Sequence, residues 1–307
     1  MGISTTDTTA SLKSTSETAP AVPPVDPHSR RGSLPDQPLV TIEAHSSWQI
    51  FSLKELWAYR ELLYFLVWRD LKVRYKQTAL GVAWVAFQPI LMTIIFSVVL
   101  GRLAQVPSDN VPYLLFAYAG LVFWTFFSSA ILTASNSLIG NASLVTKVYF
   151  PRVLIPIATV VARLLDLAVA LVILTVLMFY FQIGLTPRLV LLPFFILLLA
   201  LLALAVGMWT AAVNVKYRDV GFTVPVLVQL WMFVSPVLYP LSLIPPRWRL
   251  LYSLDPLVGV IEGFRAALFG SDFYWPAILI SAIMTPLFLV YAAYEFQTRE
   301  KTFADII

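Results

Sequence analysis

Long stretches without charged residues constrain this chain more than any other feature. Six stretches contain no Asp, Glu, Lys or Arg, and each can hold the roughly 20 residues that cross a bilayer as a helix. They cover residues 77–101, 110–146, 167–187, 189–215, 220–246 and 273–294. Lipid offers no partner to free backbone groups, and none of the stretches alternates like a membrane barrel strand. We therefore predict an all-α integral membrane protein.

The composition excludes the soluble classes of protein. Only 12% of the 307 residues are charged and 59% are hydrophobic, whereas a soluble domain carries about 25% charged residues. Cysteine is absent, which excludes disulfides, cysteine zinc sites and thiol nucleophiles. The net charge of +4 is not concentrated on a soluble module, so we expect no nucleic-acid partner.

The beginning of the chain differs from the rest. Residues 1–46 are rich in Ser, Thr, Pro and Asp and have too few large apolar residues to form a core, so we predict a disordered tail. They contain no apolar segment typical of a secretory signal, which favours a cytoplasmic location for this tail.

A six-span domain is predicted over residues 47–300, followed by a cytoplasmic C-terminus at 301–307. The predicted spans are 84–104, 112–135, 154–182, 189–213, 222–241 and 276–297.

Basic residues outside the spans determine the predicted orientation. With the amino terminus in the cytoplasm, twelve Lys or Arg residues fall in inner segments, even without those of the tail, and five fall in outer segments. Cytoplasmic loops of membrane proteins carry an excess of Lys and Arg. Both termini are therefore predicted to be cytoplasmic.

Residues 51–76 mix aromatic and charged side chains and cannot cross a membrane. On a helix, one face would carry Trp57, Tyr64, Trp68, Leu71 and Tyr75. Basic residues flank this stripe, which is typical of a helix in the cytoplasmic headgroup layer. We predict an N-terminal amphipathic interfacial helix that contacts membrane lipids. It serves either as a simple anchor or also as a contact for a lipid headgroup or a cytosolic subunit.

Polar residues continue beyond the second predicted span. Ser129, Thr133, Asn136 and Gly140 share one helix face. Such a stripe in a membrane faces other helices or a wet cavity. Pro151 then interrupts the helix before the third span.

One charged pair falls well inside a predicted span. Arg163 and Asp166 are three residues apart, so they share a helix face and can pair with each other. The pair either fixes the packing between helices or lines a pathway.

The connection between the fifth and sixth spans is long and contains several prolines. A Pro-Pro pair at 245–246 stops one helix, and the spacing after Pro256 favours another, with Glu262 and Arg265 three residues apart. We predict two short helices at the outer leaflet. Non-helical backbone at membrane depth needs protein or a water-filled cavity around it, so this region is a candidate gate.

Several residue runs together resemble one family, the permease subunits of ATP-binding-cassette exporters that move O-antigen, capsule or teichoic-acid chains. The resemblance covers about residues 50–300, over which order, spacing and topology agree. It is carried by Trp68 to Tyr75, by Gly81, Trp84 and Pro89, by Asn136 and the run from Leu138 to Arg152, by Tyr217, Arg218 and Asp219, and by Pro256 to Arg265. One position departs from the family pattern, because Asp255 stands where Asn is expected before the proline.

The resemblance implies a homodimer of six-helix subunits in the bacterial inner membrane, with two nucleotide-binding ATPase subunits on the cytoplasmic face. It implies coupling by Arg69, Asp70, Lys72 and Arg74, a gate at Asn136, Phe150, Pro151 and Arg152, and outer gate helices marked by Pro246, Asp255, Pro256 and Arg265.

Four aromatic residues are candidates for lining a conduit. They are Trp124, Phe127, Trp231 and Phe233. The faces of sugar rings pack on aromatic rings as other apolar surfaces do. The alternative is that these side chains face lipid.

The expected function follows from the resemblance together with a missing motif. The sequence has no G-x-x-x-x-G-K-[ST] phosphate loop, so we expect ATP and Mg in the partner subunit, and neither a cofactor nor a metal in this chain. The resemblance implies a channel-forming permease that moves a lipid-linked, O-antigen-like polysaccharide outward from the cytoplasmic side. Alternative cargoes are teichoic acid, a small lipid or a drug.

Two other classes fit the sequence less well. A membrane enzyme needs clustered carboxylates or histidines, whereas the acids are scattered here and the two histidines, His28 and His45, lie in or beside the tail. An ion-coupled secondary transporter would favour internal repeats or several buried ionisable groups, and only the Arg163 and Asp166 pair points in that direction.

Overall fold

The computed structural model describes residues 57–76, 83–184 and 186–306. The predicted tail at 1–46 lies outside these ranges, as do the first residues of the predicted interfacial helix and Gly81. Every regular element among the described residues is helical, which confirms the all-α prediction.

Ten α-helices follow one another along the described chain. They are α1 (Arg60–Lys76), α2 (Ala83–Phe96), α3 (Tyr113–Gly140), α4 (Ala142–Lys147), α5 (Leu154–Tyr180), α6 (Leu192–Lys216), α7 (Val220–Val234), α8 (Pro246–Tyr252), α9 (Pro256–Phe269) and α10 (Trp275–Ile306). A π-helix over Ser97–Leu103 continues α2, and short 3-10 helices occupy Pro187–Leu191 and Leu241–Leu243.

The lengths of the apolar helices support part of the predicted span count. Four helices are long and apolar enough to cross a bilayer: Tyr113–Gly140, Leu154–Tyr180, Pro187–Lys216 and Trp275–Phe303. Two shorter apolar helices, Phe87–Leu103 and Val220–Val234, lie at the first and fifth predicted spans. The 15 residues of α7 rise only about 22 Å, less than the roughly 30 Å of a bilayer core.

The fifth predicted span and the helix within it end at different residues. The sequence prediction extends that span to residue 241, but α7 ends at Val234. Ser235 has extended backbone, with ψ at 154°. Its neighbour Pro236 is the cause, because a proline ring disfavours helical backbone in the residue before it.

Helix α3 lies at the centre of the fold. It packs along α5 and α6 and also contacts α2 and α7. Phe123 and Phe127 of α3 are fully buried in a large apolar cluster that includes residues of α5, α6, α7 and α9. A second cluster contains the first turns of α5, the last turns of α6 and the C-terminal half of α10.

Helix α1 joins the second cluster and packs against α5. Leu66 is its buried residue, at 2% exposure, whereas Trp57, Tyr64 and Trp68 on other positions are more than half exposed. The predicted aromatic stripe is therefore outward-facing at its beginning. Apolar side chains occur on both the packed and the exposed side of α1, which differs from a simple two-faced helix.

Helix α9 is delimited by its end residues and packs closely on α10. Asp255 caps its beginning by accepting a hydrogen bond from the Leu257 backbone N–H at 3.1 Å, which gives this departure from the family pattern a clear local role. Gly270 ends the helix with a left-handed φ of 76°. At Gly259 the helices approach so closely that an added Cβ would lie 2.1 Å from the Ala277 carbonyl oxygen.

Candidate functional site

The predicted coupling residues divide into two groups on α1. Arg69 Nη2 lies 2.8 Å from Asp70 Oδ1, so these two residues pair within the helix. Lys72 is exposed. Arg74 instead contacts α5, where its Nη1 lies 2.6 Å from Asp166 Oδ2. The four residues are thus close in sequence, but Arg74 is bound to α5, whereas Arg69 and Asp70 bind each other and Lys72 is exposed.

The charge pair predicted inside the third span is part of a larger network. Arg163 Nη1 lies 3.2 Å from Asp166 Oδ2, as the spacing predicted. Arg74 contacts the same carboxylate oxygen, and the Tyr75 hydroxyl donates to the other one. Burial, followed by this hydrogen bond, raises the pKa of Tyr75 to about 12, so the hydroxyl keeps its proton at neutral pH. Asp166 therefore joins α1 to α5, which the sequence did not indicate.

The polar end of α3 is held by a residue that sequence reasoning missed. The helix continues to Gly140, beyond the predicted span end at 135, and so includes Asn136. Asn214 of α6 is fully buried, and its Nδ2 donates to the Ser135 carbonyl at 2.9 Å and to Asn136 Oδ1 at 3.2 Å. The amide side chain of Asn214 near the end of an apolar run was the available signal, because a polar group buried in a membrane needs a partner.

The predicted gate residues that follow α4 are anchored to the last helix. Phe150 is buried in the second apolar cluster. The Arg152 backbone N–H donates to Glu300 Oε1 at 2.9 Å, and its guanidinium donates to the Glu300 carbonyl. Pro151 separates these two contacts. The segment from Phe150 to Arg152 is thus fixed to α10 rather than being a free loop.

Arg265 is the most buried charged residue among the predicted outer-gate positions, at 3% exposure. Its guanidinium donates to the carbonyls of Pro236 at 2.7 Å and Val237 at 2.5 Å, and it lies 3.7 Å from the centre of the Phe116 ring. It also pairs with Glu262 at 3.3 Å. Arg265 therefore joins α9 to α3 and to the chain that leaves α7.

The remaining outer-gate positions lie nearby in sequence, at the beginnings of two helices. Pro246 is the first residue of α8 and Pro256 the first of α9. Asp255 also accepts a hydrogen bond from the Ser235 hydroxyl at 2.6 Å. The end of α7 is thereby connected to the beginning of α9.

The four conduit candidates occupy different environments. Trp124 and Phe127 are buried in the large apolar cluster. The half-buried Trp231 ring contacts Phe127 edge to face at 5.3 Å and borders an apolar cavity of about 390 Å³. Phe233 is 57% exposed. Only Phe233 presents a largely free ring at the surface of a single subunit, and a conduit role for all four stays a prediction.

Replacing Asn214 with alanine is expected to lower the stability of the solubilised protein by about 1–3 kcal/mol, because the Ser135 carbonyl and Asn136 would lose a buried donor. Thermal unfolding in detergent measures this change. Thr175→Ala is the control, since Thr175 is exposed and, among the described residues, donates a hydrogen bond within its own helix, to the Leu171 carbonyl. Equal unfolding temperatures for the two variants would contradict the role given to Asn214.

Comparison with known proteins agrees with this architecture. Residues 61–269 match the ABC-2 type transporter membrane family. The O-antigen export system permease protein RfbA of Myxococcus xanthus is 31% identical over 258 residues, which cover 83% of this chain and 98% of the relative. RfbA of Klebsiella pneumoniae is 26% identical over 250 residues, covering 80% and 95%. The polysialic acid transport protein KpsM of Escherichia coli is 26% identical over 207 residues, covering 65% and 78%.

The family match covers more than half of the chain, and the alignment with the Myxococcus relative runs over almost the whole of that protein. The matched range begins at the second residue of α1, where the predicted coupling residues lie, and ends at the last residue of α9. The chain therefore belongs to the ABC-2 type transporter family of membrane proteins.

Proposed function

We propose that this chain is the permease subunit of an ATP-binding-cassette exporter that moves a lipid-linked polysaccharide of the O-antigen type out of the cytoplasm. The observation that carries this proposal is the match to an O-antigen export permease over 98% of that relative's length. A capsular polysaccharide is the second candidate cargo, because a polysialic acid transport protein is also similar to this chain. Export of a teichoic acid, a small lipid or a drug would use the same membrane fold, because a fold does not determine its cargo.

Energy comes from a separate subunit in this proposal. Two ATPase subunits hold ATP and Mg at the cytoplasmic face, and the permease contacts them through the exposed part of α1. Lys72 is exposed, and Arg69 and Asp70 pair beside it. Arg74 is assigned to holding α1 on α5, because its guanidinium is bound by Asp166.

Two copies of the chain form the conduit between them, with six spans in each subunit and both termini in the bacterial cytoplasm. The exposed apolar side of α7 supports this arrangement, since Phe222, Leu230 and Phe233 are each more than half exposed. Such a surface faces either lipid or a second subunit. The short α2 completes one span together with the π-helix that continues it, and α7 completes another together with the extended segment that follows it.

Motion of α1 is transmitted inward through two contacts. The ion pair of Arg74 with Asp166 connects α1 to α5, and the segment from Phe150 to Arg152 connects the beginning of α5 to α10. A push by the ATPase subunits on α1 therefore reaches the helices on both sides of the gate segment. The opposite end is closed by α8 and α9, which form the outer gate.

Affinity purification from native membranes in mild detergent tests this proposal. We expect a near-equimolar protein with Walker motifs to co-purify and the product to hydrolyse ATP, with stimulation by the lipid-linked glycan it carries. Recovery of the chain alone from several mild detergents, without ATPase activity, would contradict the proposal and favour a secondary transporter.

Replacing Lys72 with glutamate is expected to reduce the amount of co-purified ATPase about tenfold, because it puts a like charge into a contact made by complementary charges. Arg247→Glu makes the same change in charge at an exposed position on α8, outside the proposed contact surface. Quantitative mass spectrometry of the purified complexes compares the two variants. Equal recovery of ATPase would remove Lys72 from the coupling surface.

A further inference from the structure

A charged cavity of about 310 Å³ lies among α1, α2, α3 and α5 of one subunit. Ligand-binding cavities in proteins measure about 300–1,000 Å³, so it lies at the small end of that range. Of the described residues, those that line it include Arg74, Tyr75, Gln88, Ser129, Arg163 and Asp166. The lining includes the predicted coupling residue Arg74 and the charge pair of Arg163 and Asp166, but none of the predicted gate, conduit or outer-gate residues.

The cavity carries an excess of positive charge. Arg74 and Arg163 both contact one oxygen of Asp166, and Tyr75 donates to its other oxygen. Two guanidinium groups thus share a single carboxylate whose two oxygens are both occupied. Arg163 Nε is buried and has no hydrogen-bond partner among the residues that the structure describes. Among the described lining residues, one net positive charge and the Arg163 Nε–H group remain for an anion.

The rest of the lining suits the part of a ligand next to that anion. The Ser128 and Ser129 hydroxyls donate to carbonyls of their own helix, which leaves their oxygen atoms as acceptors. The other side of the cavity is apolar and includes Val122, Phe126 and Leu167. A group that combines an anion with an adjoining hydrocarbon chain matches this division.

The depth of the cavity selects the source of such a group. Asp166 lies twelve residues after the beginning of α5, or about 18 Å along the helix axis. Arg74 and Tyr75 reach Asp166 from α1, the helix predicted to lie in the cytoplasmic headgroup layer, so the cavity adjoins the layer in which lipid phosphates lie. A group that reaches it with its hydrocarbon portion in an apolar environment is more readily supplied by a membrane lipid than by a soluble anion.

We propose that this cavity binds the phosphate group of a membrane lipid, with Arg163 and Arg74 as its ligands and the apolar side against the lipid chain. A bilayer phospholipid and a polyprenyl phosphate carrier both present this chemistry. Assignment to the carrier rests on the proposed function, whereas binding of a lipid phosphate does not.

Native mass spectrometry of the purified full chain tests the proposal with five probes: farnesyl phosphate, farnesol, phosphatidylglycerol, diacylglycerol and inorganic phosphate. We expect at least one phosphate lipid to bind and its uncharged counterpart to stay at background. Binding of farnesyl phosphate alone identifies a carrier site, and binding of phosphatidylglycerol alone identifies a bilayer-lipid site. Equal binding of the uncharged lipids, or binding of inorganic phosphate as tight as that of either lipid, overturns the proposal.

Charge variants give the sharper test. Arg163→Gln and Arg74→Gln are each expected to weaken lipid binding about 10-fold to 100-fold, because each removes charge-assisted hydrogen bonds. Asp166→Asn is expected to bind at least as tightly as the wild type, since it removes the competing carboxylate. A purely structural network predicts that all three variants lose binding together, through loss of the fold.

Arg102→Gln is the matched control, because Arg102 is exposed and does not line the cavity. If Arg163→Gln fails to fold, the more peripheral Arg74→Gln decides the outcome. Binding by Arg74→Gln equal to that by Arg102→Gln contradicts the proposal. Failure of lipid binding would not change the expected co-purification of the ATPase, and absence of the ATPase would not change the expected binding of a lipid phosphate. The two proposals can therefore be rejected independently.

Discussion

Replacing Arg265 with methionine is expected to lower the free energy of unfolding by about 3–5 kcal/mol, the largest effect of any single substitution considered. The variant leaves Glu262 without its cation and removes the donor to the Pro236 and Val237 carbonyls. Each of these groups lies in a buried part of the fold, where an uncompensated charge or carbonyl is costly. Thermal unfolding of the detergent-solubilised protein measures the loss, which we expect to be roughly 10 °C.

Arg247→Met provides the matched control for Arg265. Arg247 is an exposed arginine on neighbouring α8, and its guanidinium contacts only the ring of Trp248 among the described contacts. Its replacement is expected to change the unfolding temperature little. If the two variants unfold at the same temperature, Arg265 does not hold α9 to α3 as the contacts indicate.

Replacing Gly259 with alanine is expected to separate α9 from α10 and to destabilise the protein by about 1–3 kcal/mol or more. The added Cβ would lie 2.1 Å from the Ala277 carbonyl oxygen and 2.3 Å from Ser281 Oγ. The first of these atoms is backbone, so rotation of a side chain cannot relieve the clash. The Ser281 hydroxyl also donates to the Pro256 carbonyl, so displacement of α10 would break that contact between the helices.

Gly140→Ala is the control for this substitution. Gly140 is the last residue of α3 and has open space where a Cβ would be placed. Alanine favours a helix over glycine by about 1 kcal/mol, so this variant is expected to be neutral or slightly stabilised. Limited proteolysis and thermal unfolding compare the two variants. Equal resistance to both treatments would contradict the close contact at Gly259.

Local sequence signals predicted the helices well, because each such signal depends on neighbouring residues. The charge-free runs predicted the long helices, and the spacing of Arg163 and Asp166 predicted their pairing, which the structure contains. The family expected from the residue runs is confirmed by the match over 61–269. The end of α7 was missed although Pro236 signalled it, since apolar composition continued past that residue.

Contacts between distant parts of the chain could not be predicted in the same way. Arg74 binds Asp166 across 92 residues, and Arg152 binds Glu300 across 148. A single sequence contains no periodicity that connects such positions. For the same reason, the burial of Trp124 and Phe127 becomes known only from the packing of α3 on its neighbours, and their conduit role stays a prediction.

The central claim is that this chain exports a lipid-linked polysaccharide, and deletion of its gene in the source bacterium tests that claim most directly. We predict that surface polysaccharide disappears, that lipid-linked polysaccharide accumulates on the cytoplasmic side of the membrane, and that the wild-type gene reverses both changes. Undiminished surface polysaccharide, with no accumulated intermediate, would contradict the claim.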